Sequence, residues 1–553
     1  MILQAFRELA RYVMLGEGLA YFHRTPLDPN YREKIETLIR NREANFLKMA
    51  QAILRDPAHP YSQLFAIAGC TYADLEADVS RNGLESTLEA LLREGVYLTL
   101  DEFRCRTEIV RGTRHITATM ADWDRREGQG PLQMISSGSS GGRSLRTRYS
   151  IESARLGLAG ALLMRDEFAD GRPAETVMIL PILPSTIGLS ACAACHRLGS
   201  PTSAWFAIGG PLRRSAHYRA LTAALVTRLR LAGARVPHPA YLQENDFSPV
   251  AEFVAGRKRQ GARVAMHGMV SSITRVAGAA LDRGLDIRGS WAFVVGESLT
   301  DLKRDLIESA GIRVYPTYGT SDFGGIGGPC SQMTSGNCVH ISRGSVALIG
   351  RPIENIWGDG EPVNSLHLTG LLPFHPRFLI NVEIGDTGII EPATCDCTYS
   401  RIGYVQQVRE IAAISKICGQ GSTLYARDIV QVLEEGLPAR FGGRPGDYQL
   451  IEVEGVAQTD LELRVHPRLA IASPQAVLES FLAQCRNTYG GALAVRLWTE
   501  SRGIRVETKS PVLASSGKFR ALRLLGPGVG VSGSQASDRV SAASREVEHG
   551  AVR

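Results

Sequence analysis

Residues 291–315, WAFVVGESLTDLKRDLIESAGIRVY, contain one complete strand–helix–strand unit. Trp291–Val295 is a short apolar run typical of a buried strand. Ser298 begins a Ser-x-x-Asp capping box, and the apolar residues of Leu299–Ala310 recur at helical spacing. A glycine ends the helix, and Ile312–Tyr315 predicts the next strand. Strands that alternate with amphipathic helices indicate an α/β fold with parallel strands.

The same alternation extends over residues 131–405 and predicts the α/β core of a large N-terminal domain. Residues 1–130 are expected to form a helix-rich part of that domain. The strand–helix alternation ends near residue 405, and residues 406–525 predict a small α+β C-terminal domain. Its expected elements are strands at 448–453, 461–465, 494–498 and 504–508 and a helix at 474–487. Residues 526–553 are rich in Gly, Ser and charge, which predicts a disordered tail.

The composition excludes several classes of protein. The chain has 553 residues, of which 44% are hydrophobic and 21% are charged, as in ordinary globular proteins. The net charge of +6 is small, and the arginines are spread along the chain, so no nucleic-acid partner is expected. Arg7 and Arg11 interrupt the N-terminal apolar stretch, and Pro181 interrupts the most apolar internal one. We therefore expect no membrane association and a cytoplasmic location, in which the ten cysteines stay reduced.

A loop of glycines and hydroxyl residues follows the apolar run 132–135. Backbone N–H groups in such a loop can approach an anion, and the hydroxyls can donate further hydrogen bonds, so the loop suits phosphate binding. A flexible surface linker is the alternative. The residues are Ser136, Ser137, Gly138, Ser139, Ser140 and Gly141.

A second candidate segment follows the strand that ends at Tyr315. It reads Tyr318, Gly319, Thr320, Ser321, Asp322. Ligands of open α/β sheets collect beyond the carboxyl ends of the strands, and a carboxylate there can hold Mg²⁺ on a nucleotide. A glycine-rich turn with a capping aspartate is the alternative.

A third candidate is Lys518, which follows Gly517 in a chain with only seven lysines. A lysine on a glycine turn is a mobile cation that can be placed against a phosphate or a carboxylate. The alternative is an exposed lysine near the end of a domain.

The order and spacing of these segments resemble the adenylate-forming (ANL) superfamily of acyl-CoA synthetases, peptide-synthetase adenylation domains and luciferases. The similar branch is that of the phenylacetate-CoA ligases. Ser136–Gly141 resembles the family's SSGTTG loop, Tyr318–Asp322 its Tyr-Gly-x-Thr/Ser-Glu motif, and Gly385-Asp386 its ribose-binding Gly-Asp. Gly517-Lys518 resembles its C-terminal Gly-Lys motif. The resemblance covers residues from about 130 to 525.

This resemblance implies an adenylate-forming large domain and a small mobile C-terminal domain. It implies that the Ser/Gly loop and the Tyr-Gly motif bind ATP, that Asp386 binds the ribose, and that Arg409 is the arginine of the interdomain hinge. Lys518 and Asp322 would be catalytic, with Mg²⁺ near Asp322. Three features depart from the family pattern. Gly142-Arg143 replaces a Pro-Lys, an aspartate replaces the usual glutamate at 322, and the hinge lacks Gly-Arg-x-Asp-Asp.

The expected reaction is ATP-dependent activation of a carboxylic acid as an acyl-AMP, with transfer to the thiol of coenzyme A (CoA) or an acyl carrier protein. Five residues resemble positions of the acyl pocket and suit an aryl or medium-sized acid. They are His267, Gly268, Glu297, Tyr315 and Thr317. Two alternatives remain open at this point, namely an amine or other nitrogen acceptor, and a non-catalytic acyl- or nucleotide-binding homologue.

Four residues predict a structural zinc site. They are Cys330, His340, Cys395 and Cys397. Three thiolates and one imidazole form a closed tetrahedral site, the usual arrangement of structural zinc. Some phenylacetate-CoA ligase-like proteins carry cysteines and a histidine at similar places. Cys338 is a rival ligand, and a set of unconnected buried thiols is the alternative.

Overall fold

The computed structural model of the chain describes most of its residues. The residues outside this description are 1, 131, 136–145, 169–173, 184, 201, 209–211, 243–245, 297–298, 300, 321, 334–336, 354–362, 414–415, 418–423, 444–445, 455–458, 488–490, 512–520 and 526–553. The predicted Ser136–Gly141 loop, Ser321, Glu297, the capping residue Ser298, Gly517-Lys518 and the tail 526–553 therefore lie outside the described residues.

A sheet of six described strands, all parallel, forms the centre of the α/β part. In spatial order the strands are Ile312–Pro316, Ser290–Val295, Val264–Met269, Glu175–Ile179, Thr202–Ile208 and Ala240–Leu242. Alternate residues of one strand enter two different cores, since Val177 and Ile179 pack on one face while Met178 packs on the other. Both faces are buried, which explains why these strands are near-continuous apolar runs. The α/β class predicted from residues 291–315 is confirmed.

Helices cover both faces of this sheet. Ser248–Arg259, Val270–Asp282 and Asp301–Ser309 pack on one face. Ile187–Arg197, Leu212–Leu231 and the C-terminal half of Ile2–Arg24 pack on the other. Cys192 and Cys195 are buried on the second of these faces. No helix in the described part of the chain is long and apolar enough to cross a membrane.

A second sheet of seven described strands is antiparallel throughout. Its order is Tyr318–Thr320, Gly324–Gly328, Val339–Ile341, Gln406–Ala413, Val382–Pro392, Val363–Gly370 and Val346–Ile353. The helices of the N-terminal region share one apolar core with this sheet. They include Arg42–Leu54, Pro60–Ile67, Tyr72–Asn82 and Leu84–Arg93. Most of the elements described within residues 1–130 are helices.

The remaining elements of the large part are short or connect the sheets. The helices are Tyr31–Arg40, Leu100–Phe103, Ile151–Phe168 and Thr398–Arg401. Two antiparallel strand pairs are Ile109–Arg111 with Arg114–Ile116 and Leu132–Ile135 with Arg146–Tyr149. The second pair brackets the predicted phosphate loop. That loop therefore connects two strands, and the helix at Ile151 begins only after the second of them.

The C-terminal region has its own apolar core. Its sheet has the order Ile504–Thr508, Thr459–Val465, Tyr448–Glu454 and Leu522–Leu525. Its helices are Ala426–Gln431, Leu437–Phe441, Pro474–Arg486 and Gly491–Glu500, with a π-helical turn at Val432–Gly436, and Lys416–Ile417 pairs with Leu424–Tyr425.

The strand predicted at 494–498 is wrong, because this segment belongs to the helix Gly491–Glu500. Ala494, Val495 and Trp498 are buried together at helical spacing. The strand Gln406–Ala413 pairs with Val382–Pro392 in the second sheet. The domain division stays a prediction, but this pairing favours a boundary after residue 413 over one at 405.

Candidate functional site

Two of the predicted nucleotide-binding residues meet directly. The phenol of Tyr318 donates a hydrogen bond to Oδ2 of Asp386 at 2.8 Å, although 68 residues separate them in sequence. Tyr318 lies on the first strand of the second sheet, and Asp386 lies on Val382–Pro392. Burial, followed by the neighbouring Asp386, raises the pKa of Tyr318 well above its usual value, so its hydroxyl remains a donor. The structure therefore joins the Tyr-Gly motif to the Gly-Asp motif.

The backbone of the Tyr-Gly turn requires its glycine. A Cβ at Gly319 would lie 2.8 Å from the carbonyl oxygen of Gly324 on the adjacent strand. The hydroxyl of Thr320 accepts a hydrogen bond from the backbone N–H of Phe323 at 3.1 Å. These contacts close the hairpin between Tyr318–Thr320 and Gly324–Gly328 and fix the direction of Tyr318.

Asp322 lies on this hairpin turn with its carboxylate turned inward. It forms an ion pair with Nη2 of Arg104 at 3.0 Å, and Nη1 of Arg377 lies 3.9 Å from its other oxygen. The residue is only 3% exposed. Neither arginine could be predicted as a partner of Asp322, since both are distant from it along the chain. Mg²⁺ keeps several waters when it binds a protein, and this buried carboxylate between two cations does not fit that requirement.

An aromatic row crosses three parallel strands where the acyl pocket is expected. His267, Phe293 and Tyr315 stand in register on neighbouring strands. Their ring centroids are 5.1 Å apart for His267–Phe293 and 5.9 Å for Phe293–Tyr315. Phe168, at the end of the helix Ile151–Phe168, lies 4.6 Å from the ring of Tyr315. Burial lowers the pKa of His267 to about 4, so the imidazole is neutral at physiological pH.

The other predicted pocket residues differ in what they contact. The hydroxyl of Thr317 donates to the carbonyl of Val294 at 3.0 Å, so it ties two strands together. A Cβ at Gly268 would lie 3.2 Å from the carbonyl of Ile179, which explains the glycine there by strand packing. Phe168 and Phe293 were not among the pocket residues predicted from the sequence. Phe293 could have been found, because it lies inside the strand 291–295 that was predicted.

Arg409, the predicted hinge arginine, lies on the strand Gln406–Ala413. Its Nε donates to Oε2 of Glu391 at 3.1 Å, and the guanidinium also pairs with Glu410. Glu410 has a φ of 55°, a left-handed conformation that is unusual for a residue with a side chain. The hinge role of Arg409 stays a prediction.

The four predicted metal ligands form one cluster. Their ligand atoms all lie within 4.8 Å of one another. The Sγ atom of Cys395 is 3.8 Å from Sγ of Cys330 and 3.6 Å from Sγ of Cys397. Nε2 of His340 is 3.2 Å from both Cys395 and Cys397. A tetrahedral zinc with Zn–S bonds of ~2.3 Å has S–S edges of ~3.8 Å, so the donor set fits zinc.

Contacts around the cluster orient its ligands. Nδ1 of His340 lies 2.9 Å from the carbonyl oxygen of Tyr404, which accepts a hydrogen bond from Nδ1–H and leaves Nε2 to face the thiols. The ring of Tyr399 stacks parallel to the imidazole at 5.5 Å. Hydrogen bonding from Cys330 is the main cause of a lowered pKa at Cys397. Cys338 is buried, but it is not a member of the cluster found among the described residues.

No family model matches this sequence. No curated protein matches it either. Among solved structures, the chain is similar to a 2-hydroxyisobutyryl-CoA ligase in the postadenylation state, with 14% identity, 92% of each chain covered and a TM-score of 0.44. It is also similar to a malonyl-CoA ligase with methylmalonyl-CoA and AMP bound, with 15% identity over 80% of this chain and 95% of that one and a TM-score of 0.39. A fatty acid AMP ligase from Legionella pneumophila is 11% identical over 76% of this chain and 70% of its own, with a TM-score of 0.31.

Proposed function

We propose that the protein activates a carboxylic acid with ATP. The acid becomes an acyl-AMP, pyrophosphate leaves, and the acyl group passes to the thiol of CoA or an acyl carrier protein. The observation that carries this proposal is the hydrogen bond between Tyr318 and Asp386. The two motifs were identified separately in the sequence. The hydroxyl of Tyr318 and Oδ2 of Asp386 lie 2.8 Å apart, as expected of two parts of one nucleotide site.

The chemistry assigns a role to each remaining motif. The carboxylate of the acid attacks the α-phosphate in line, so negative charge accumulates at the reacting centre. Lys518 supplies a cation to this centre, and Ser136–Gly141 holds the β- and γ-phosphates by its N–H and hydroxyl groups. ATP enters as its magnesium complex. Asp386 accepts hydrogen bonds from the ribose hydroxyls, because an ionised carboxylate is a strong acceptor.

The aromatic row supports an aryl or medium-sized acid. The rings of Phe168, Phe293 and Tyr315 contact one another, with centroids 5.1 Å apart for Phe168–Phe293, 4.6 Å for Phe168–Tyr315 and 5.9 Å for Phe293–Tyr315. His267 adds a neutral ring at the end of the row. Such a surface favours an aromatic ring or a short chain over a small charged acid.

The Cys330–His340–Cys395–Cys397 cluster holds one structural zinc ion in this proposal. All four ligand positions come from the protein, so no position is left for a substrate or a catalytic water. The zinc joins the segments on which its ligands lie. Its contribution is to folding, because structural zinc binding and folding are coupled.

The experiment that tests the function is pyrophosphate release measured with ATP across a panel of acids. The panel contains benzoate, phenylacetate, hexanoate and octanoate, with acetate and palmitate as size controls. We expect release with the aromatic or medium-sized acids. Product mass with CoA or with amines then identifies the acceptor. AMP binding without pyrophosphate release for any acid would instead identify a non-catalytic binding protein.

A further inference from the structure

Asp322 occupies the position of an expected metal-binding acid, yet arginines surround it. Its Oδ2 is 3.0 Å from Nη2 of Arg104, and its Oδ1 is 3.9 Å from Nη1 of Arg377. The three side chains are between 4% and 6% exposed. The charged groups therefore interact with one another in the interior, where their attraction is weakly screened.

A magnesium ion does not fit this carboxylate. Mg²⁺ requires six oxygen ligands at close to octahedral geometry and retains several waters. Oδ1 of Asp322 is buried and accepts no hydrogen bond from a described residue. A divalent cation bound to that oxygen would also lie close to the guanidinium of Arg377, and like charges at that distance repel.

Two aromatic side chains lie beside these charged groups. The rings of Phe103 and Phe323 lie 5.4 Å apart beside the turn, and the guanidinium of Arg377 lies over Phe103 at 5.8 Å. Burial lowers the pKa of Arg104 to about 10, which still leaves this arginine charged at neutral pH. Removing one member of such a buried set leaves an uncompensated charge and is strongly destabilising.

The three charged residues also connect the parts of the nucleotide site. Arg104 follows the helix Leu100–Phe103, and Asp322 lies on the hairpin turn four residues after Tyr318. Arg377 precedes the strand that carries Asp386. An ion pair between Asp322 and Arg377 therefore holds the hairpin of Tyr318 against the segment that leads to Asp386.

We infer that Arg104, Asp322 and Arg377 form a buried ion-pair clamp that positions Tyr318 against Asp386, and that Asp322 serves this clamp instead of a magnesium ion. Asp322 is thus a positioning residue. The clamp itself does not depend on the proposed function. Only its consequence for nucleotide binding rests on the role proposed for Tyr318 and Asp386.

The test compares Asp322→Asn and Asp322→Glu with the control Asp124→Asn. Asp124 lies 3.9 Å from Nε of the same Arg377, but its side chain is 46% exposed. Melting temperature is measured with Mg²⁺ and with a chelator. AMP affinity is measured in the chelator, and the Mg²⁺ concentration for half-maximal pyrophosphate release is measured at fixed ATP.

We expect Asp322→Asn to lower the melting temperature by on the order of 5 °C, equally with and without Mg²⁺. AMP affinity without metal should fall at least several-fold, while the Mg²⁺ requirement should not change. Asp322→Glu should not restore stability, because the longer side chain does not fit the buried turn. The control should resemble the wild type.

A double-mutant cycle with Arg104→Met adds a second readout. The clamp predicts that Asp322→Asn costs less stability in the Arg104→Met background than in the wild type. A melting temperature within about 1 °C of the wild type in Asp322→Asn, with a several-fold higher Mg²⁺ requirement, would overturn the inference. If the wild type releases no pyrophosphate, the proposed function fails, but the thermal and double-mutant results still decide whether the clamp exists.

Discussion

At the scale of single residues, Asp386 has the most specific role in the proposed nucleotide site. Its Oδ2 accepts the hydrogen bond of Tyr318, and its remaining lone pairs can accept from ribose hydroxyls. We predict that Asp386→Asn weakens AMP binding by roughly 10-fold or more, the usual cost of losing a hydrogen bond to a charged group. Calorimetry should show no such loss for 2′,3′-dideoxy-AMP. Equal weakening for both nucleotides would mean that Asp386 does not contact the ribose.

Lys518 lies outside the described part of the chain, so its proposed catalytic role rests on the sequence. Lys518→Ala should slow acyl-AMP formation by roughly 10²–10³-fold, the size typical of losing one preorganised electrostatic contact. Transfer from preformed acyl-AMP should change much less. Lys509→Ala is the matched control, since Lys509 is an exposed lysine of the same region that pairs with Glu507 at 3.4 Å.

The rates of both half-reactions in Lys518→Ala test whether the C-terminal domain alternates and whether Lys518 takes part in catalysis. Equal loss in both would contradict a C-terminal domain that alternates between two positions. No loss in either would show that Gly517-Lys518 is a surface turn with no part in catalysis.

At the scale of elements, the Cys330–His340–Cys395–Cys397 cluster brings together segments that are distant in the sequence. We predict one zinc ion per purified chain, measured by elemental analysis. Cys395→Ser should lose the zinc and several kcal/mol of folding stability, because metal binding is coupled to folding. Cys338→Ser should retain the zinc, since that buried thiol lies outside the cluster. Wild-type protein with well under one zinc, together with unchanged stability of Cys395→Ser, would rule out the site.

Elements with strong local patterns were predictable from the sequence, and contacts between distant elements were not. The apolar run 291–295 predicts a strand, and the segment after it predicts a helix. In each case the spacing of the apolar residues and the length of the segment indicate the same element. Residues 494–498 are a short apolar run in which Arg496 is the only polar residue, and so short a run fits a strand as well as a helix. Burial against the C-terminal core selects the helix there. Arg104 lies 218 residues from Asp322 in sequence, so no local pattern could join them.

At the scale of the whole molecule, buried histidines couple stability to pH. Burial lowers the pKa of His375 to about 4 from 6.5. Between these values the unfolded chain binds a proton that the folded chain does not. The stability contributed by the neutral imidazole is therefore present above pH 6.5 and lost as the pH falls toward 4. Its size is on the order of 3 kcal/mol.

We predict that His375→Asn reduces the slope of unfolding free energy against pH between 6.5 and 4. Denaturant unfolding at a series of pH values measures this slope. The control is His115→Gln, because the side chain of His115 is exposed. An unchanged slope in His375→Asn would show that His375 is not the group that titrates.

Isotope transfer shows whether the protein joins a carboxylic acid to AMP. The best acid of the panel is prepared with ¹⁸O in its carboxylate and turned over with ATP and the acceptor. An acyl-AMP intermediate predicts one ¹⁸O atom in each AMP released, because the carboxylate oxygen that attacks the α-phosphate stays with it. Label in inorganic phosphate with ADP as the product, or AMP without label, would contradict the proposed function.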